Sequence, residues 1–215
     1  MHLCGAAFLL QTLLSYYMLA AAVPARPRGD KASTVDWQAN LQKEFRRSVN
    51  FSRQLLCKIR VLKHHYLSDR LPGASLTFVT HKGLFSLTSL DLHTWLSLSD
   101  AKRLTHLAKM LSFYQDLIQQ LKDYEADRED SRFVPQLEDL GFNLRDLSHH
   151  VSYQISLWGL PSENNPEPTP EPPQILQSKD QWRNRQEGYI VLRHLESFLC
   201  RATRDFWILK DKIRM

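Results

Sequence analysis

Glycine is scarce, at 7 of 215 residues. That scarcity excludes the Gly-rich loops that cradle phosphates and argues against a β-rich chain built on many tight turns. Cysteine is scarcer still, at 3, and Cys4 sits in an apolar leader, which leaves Cys57 and Cys200. A disulfide scaffold is therefore not what holds the domain together; a chain of this size can rely on its core. Charge of one sign is weak as well. A net charge of +5 falls short of a dedicated nucleic-acid binder. No HExxH, CxxC, G-x-S-x-G or acidic i,i+3 constellation is present. The pairs His64-His65 and His149-His150 are the nearest approach to metal ligands, but neighbours on a helix point about 100° apart and supply one ligand per face. Neither an enzyme nor a metal or cofactor protein is expected.

One long apolar run is present. Residues 3–23 carry no charge and close on Ala20-Ala21-Ala22 before Pro24, the anatomy of a secretory signal peptide. Residues 1–25 are read as that peptide, cleaved between 22 and 25, rather than as a membrane anchor. The chain is expected to be secreted and extracellular, with no membrane insertion. On that route Asn50-Phe51-Ser52 becomes a usable glycosylation sequon at Asn50.

Helical periodicity fills most of the rest, and no alternating strand pattern competes with it. Four helices are predicted, over about 35–67, 99–124, 135–158 and 179–213. Their apolar stripes run Leu41 to Tyr66, Leu104 to Leu121, Leu137 to Ile155, and Tyr189 to Leu209. Ser99 is a natural N-cap, and Pro135 is tolerated in a first turn. Long links, about 68–98 and 159–178, flank one short link between the second and third helices. The short link reaches at most roughly 30 Å; a 25-residue helix is roughly 38 Å long. Only the long links can return along a helix, so residues 26–215 read as an all-α, long-chain four-helix bundle, up-up-down-down with two long crossovers. The 159–178 crossover is rich in Pro and Glu and reads as an extended linker. The first crossover holds Leu76, Phe78, Leu84, Phe85 and Trp95, too apolar to float freely.

Helical counting turns both Cys57 and Cys200 away from the apolar stripes. Outward thiols do not easily reach the Cβ separation of about 4 Å that a disulfide needs, so an intramolecular bridge is disfavoured. The same counting sets Trp182 beside Arg193, Cys200 and Trp207, off the core, as a candidate interface anchor. Packing beneath the preceding crossover is its plainer alternative. For Trp95, packing onto the bundle is as natural as an interface role. Residues 31–70 hold nine Lys or Arg against three Asp or Glu, and residues 120–150 hold four against eight. Solvated outer faces or docking surfaces both account for that imbalance.

Several segments then align in order: Leu41-Gln42-Lys43-Glu44-Phe45-Arg46-Arg47, Leu71-Pro72-Gly73, Trp95 ahead of Leu98-Ser99-Asp100, Asn143-Leu144-Arg145-Asp146-Leu147, and Trp182 with Tyr189 and His194-Leu195-Glu196. In their order and spacing the chain resembles the long-chain cytokines of the interleukin-6 and interleukin-12 family, and within it the alpha subunits that form heterodimers. The resemblance implies pairing with a soluble, receptor-like beta subunit and engagement of two signalling receptors that activate Janus kinases. It implies that Trp182 inserts into an immunoglobulin-like receptor domain and that Trp95 contributes to beta-subunit pairing. A stand-alone interleukin-6-type ligand is the alternative. A helical carrier of a small apolar ligand is disfavoured, because the core positions are large and leave little room for a cavity.

Overall fold

A computed structural model describes residues 31–74, 91–159 and 172–213. The leader at 1–25, the apolar stretch at 75–90 and most of the Pro/Glu crossover, 160–171, lie outside the described residues. The described residues form five helices: α1 Lys31–Arg70, α2 Leu92–Ser97, α3 Asp100–Ala126, α4 Val134–Trp158 and α5 Gln181–Lys212. The all-α reading is met, with α2 added as a single short turn at the close of the first crossover.

The helix ends have local causes. Asp91, Ser99 and Asp180 are side-chain N-caps, accepting from the backbone N–H of Thr94, Lys102 and Trp182; each satisfies a donor that has no partner inside its helix. Pro135 sits in the first turn of α4, and Gly159 ends that helix in the left-handed region at φ 66°, where a missing Cβ removes the steric penalty.

Cross-helix contacts fix the directions. Ser48 meets Gln154 and Lys58 meets Asp139, so α1 and α4 are antiparallel. Thr203 donates to Ser52, and Arg60 donates to Glu196, so α1 and α5 are antiparallel as well. Tyr66 and Arg70, at the end of α1, both reach Glu125 at the end of α3, which makes those two helices parallel. Lys212 pairs with Asp100, closing α3 against α5 in the opposite sense. The order is up-up-down-down.

The predicted stripe of α1 is buried in full, from Leu41, Phe45 and Val49 through Ile59 to Tyr66. On α4 the stripe turns slightly: Gln154 is buried and Ile155 is only half-buried, because Gln154 donates to Ser48. On α5, Gly188 takes the buried position beside half-buried Tyr189. A Cβ at Gly188 would lie 2.5 Å from the Tyr66 hydroxyl and 2.8 Å from a Leu121 methyl. The Tyr66 hydroxyl is itself held by Glu125 at 3.1 Å, so it has little freedom to give way. Gly188→Ala is therefore expected to destabilise. An overpacking cost of about 1–3 kcal/mol outweighs a helix-propensity gain of about 1 kcal/mol. Thermal denaturation checks this, and an unchanged or raised midpoint would contradict it.

Candidate functional site at the two ends of the bundle

Trp95 stands at one end. Asp91 caps α2 and turns the indole inward, so that it is half-buried and its Nε1–H donates to Asp205 Oδ1 at 3.0 Å. Arg103, on the first turn of α3, closes the arrangement. It pairs with Asp205, donates to the Trp95 carbonyl at 3.1 Å, and lies 5.1 Å from the indole centroid. Arg103 and Asp205 are 4% and 3% exposed, a buried ion pair. Burial pushes the Asp205 carboxyl up from its ordinary range, while the donors from Arg103 and Trp95 pull against that shift.

The outer edge of Trp95 borders a hollow of about 380 Å³, lined also by Arg53, Thr203, Arg204, Trp207 and Ile208. Trp207 is 49% exposed and Leu96 63%. A few large apolar groups ringed by guanidinium groups have the makeup of a docking surface. One turn from Arg103, half-buried His106 is pressed by burial and by the charges of Arg201, Lys109 and Arg103, which lower its pKa from 6.5 to about 4. Above pH 6.5 the imidazole is neutral in both folded and unfolded chains, and its contribution to stability is full. As pH falls toward 4, the unfolded chain takes up the proton first and stability is lost. Each pK unit is about 1.4 kcal/mol; allowing for partial exposure, the loss is about 2 kcal/mol. His106→Gln should flatten this part of the stability profile in denaturant titrations between pH 7 and 4.

Trp182 stands at the other end, more than six helical turns from Asp205 on the same helix, roughly 35 Å along the axis. It is 40% exposed. The chain leading to it is tightly held. Ile175 N–H donates to Gln120, Leu176 N–H to Glu187, and Ser178 exchanges two hydrogen bonds with the buried side chain of Asn184. Leu176 adopts φ 66° with its side chain buried, unusual for a residue with a Cβ. Asp180 then caps α5 at Trp182 itself. The indole is thus presented on a fixed helix end, away from the core stripe.

The other residues singled out from the sequence fall elsewhere. Asn50 is exposed on the outer face of α1. Cys57 is exposed and Cys200 half-buried; both thiols are free. The imidazoles of His64 and His65 are 6.2 Å apart, and among the described residues no group of three or more His, Cys, Asp or Glu is placed to hold a metal ion. No described helix is long and apolar enough to cross a membrane. The sequence does not mark Arg103 and Asp205 as a pair. The available signal was one charged residue next to each apolar stripe, Arg103 beside Leu104 and Asp205 beside Phe206.

No family model matches the chain. It is 30% identical over 208 residues to interleukin-27 subunit alpha of Sus scrofa, a match covering 92% of this chain and 86% of the relative. The chain belongs to the interleukin-27 subunit alpha family. It is also 28% identical over 212 residues to interleukin-27 subunit alpha of Homo sapiens, with 92% of this chain and 86% of that protein covered. The helical bundle is thus that of a cytokine subunit, and Trp95 and Trp182 are surfaces to be read in that light.

Proposed function

We propose that the chain is the alpha subunit of a secreted heterodimeric interleukin. Residues 1–25 are removed on export, and the four-helix domain pairs with a soluble, cytokine-receptor-like beta subunit through the surface around Trp95. The heterodimer then engages two signalling receptors, the shared signal-transducing receptor of the interleukin-6 family and an interleukin-27-type receptor, and activates Janus kinase/STAT signalling in immune cells. Trp182 is the anchor for one of them. No catalysis and no cofactor is involved, and Asn50 carries a glycan that leaves the core undisturbed.

The observation that carries this reading is the pair of partly exposed indoles at opposite ends of the bundle, Trp95 held through its Nε1–H by Asp205 and Trp182 set on a helix end that Asp180 caps. A preorganised Trp loses little entropy on docking and buries a large area. At the Trp95 end Arg53 and Arg204, which form no ion pair with a described residue, suit a partner surface that offers an aromatic side chain flanked by carboxylates. The test is expression of the chain alone and together with the family's soluble beta subunit. Recovery mainly as a stable complex supports the subunit reading. Efficient secretion as a monomer that ignores the beta subunit would overturn it and favour a stand-alone interleukin-6-type ligand.

A further inference from the structure

Positive charge is concentrated on the outside of α1, on a face that meets the proposed indole surfaces only at Arg53, beside the Trp95 hollow. From Lys43 to Lys63 the chain carries seven Lys or Arg against the single carboxylate Glu44, which is 4% exposed and turned toward Arg47 and His150. Other helices neutralise part of this charge: Asp139 pairs with Lys58, and Glu196 serves both Arg60 and Lys63. Lys43, Arg46 and Arg53 are exposed, and no ion pair joins them to any described residue. Arg46, Arg53 and Arg60 recur at intervals of seven, so they lie along one flank of the helix. The free cations Lys43, Arg46 and Arg53 span roughly 15 Å of the helix, and Arg60, held by Glu196, continues their line.

The character of the row excludes most partners. The exposed large apolar residues of the described chain are Val61, Leu96, Phe142, Tyr153, Trp182 and Trp207; none falls between Lys43 and Arg60. A protein interface needs a desolvated apolar or aromatic centre, and a surface for single-stranded nucleic acid needs rings on which bases stack. Around Lys43 and Arg46 the row offers neither; only its Arg53 end reaches the hollow beside Trp95 and Trp207. The row offers cations spread along about three turns, with guanidinium groups that pair bidentately with oxyanions. We propose that the outer face of α1, centred on Lys43, Arg46 and Arg53, docks a linear sulfated polysaccharide. Sulfate groups along an extended chain meet the cations by charge and hydrogen bonding, and no apolar contact is required. Asn50 lies on the same face between Arg46 and Arg53, so a glycan there would crowd the row and weaken the contact.

The proposal is tested apart from the subunit reading at Lys43 and Arg46, which line neither indole surface; Arg53, which lines the Trp95 hollow, is shared between the two readings and is left unchanged in the test. The experiment measures binding of the secreted protein, alone or as its complex, to immobilised heparin over a series of salt concentrations. Binding should weaken steeply with salt, by a slope near one for each cation engaged. Lys43→Ser combined with Arg46→Ser should weaken it about tenfold and reduce the slope by about two. Lys58→Ser combined with Lys122→Ser, on other faces, should change little. Asn50→Gln should bind at least as tightly as the parent. Circular dichroism and beta-subunit pairing should be the same in all variants. An unchanged slope in the Lys43/Arg46 variant overturns the proposal. So does equal retention on a duplex DNA of matched charge, which would mark a general polyanion surface.

Discussion

Asp205→Ala is expected to lower the melting temperature by about 10 °C and to abolish stable pairing with the beta subunit. Among the described residues this carboxylate is the ion-pair partner of Arg103, and both are almost wholly buried. Removing it strands a guanidinium in the interior, a change that costs about 3–5 kcal/mol when one member of a buried pair is lost. For a domain of this length each kcal/mol moves the midpoint by about 2–4 °C. The same substitution takes away the acceptor for the Trp95 indole N–H, so the ring loses its fixed direction. Asp205→Asn keeps an acceptor and loses the charge; it should fall between the parent and the alanine variant. Trp95→Phe removes the indole donor while leaving the ion pair, and should reduce pairing with a smaller thermal penalty. Calorimetry and co-purification, both run well below the lowered midpoint, separate the two effects. Normal pairing by a folded Asp205→Ala would remove Trp95 from the beta-subunit surface.

Trp182→Ala should have the opposite profile. The side chain is 40% exposed and lies outside the core stripe, so the melting temperature should move by no more than about 3 °C, in keeping with a surface substitution. A buried aromatic anchor at an interface is worth about 2–4 kcal/mol, equivalent to roughly a 30- to 1000-fold loss of potency in a STAT-phosphorylation assay. Pairing with the beta subunit should be retained. Early melting of the helices would place Trp182 in the core instead, and full potency would end its role as a receptor anchor.

The backbone arrangement was legible because it depends on periodicity and reach. Apolar residues three and four apart set the stripes, and a link too short to run back along a helix fixed the directions. The offsets at Gln154 and Gly188 were not legible. Gln154 is buried because Ser48 on another helix accepts from it, and Gly188 because Tyr66 fills the space above it. Composition along one helix holds no record of either partner. The same limit applies at the site. Trp95 and Trp182 stood out individually, since an indole in polar surroundings is conspicuous. The Arg103–Asp205 pair joins residues about a hundred positions apart, and the Arg70 network draws Glu125 and Asp130 onto the end of α1. Pairings of that kind are set by how helices meet in space, and only the shared oddity of a charge beside an apolar stripe hints at them.

The roughly 35 Å of continuous helix between Asp205 and Trp182 has a consequence for dose. A ligand whose two anchors lie so far apart on a stiff rod can bridge two partners without either obstructing the other, so each end binds with its own affinity. At a fixed amount of beta subunit, response should then rise as chain is added, pass through a maximum, and fall when excess chain occupies the beta subunit and the receptor singly. A molecule with one end blunted, such as Trp182→Ala, would still occupy the beta subunit at its intact Trp95 surface while failing to recruit the receptor at the other end. It should act as a competitive antagonist of the parent cytokine.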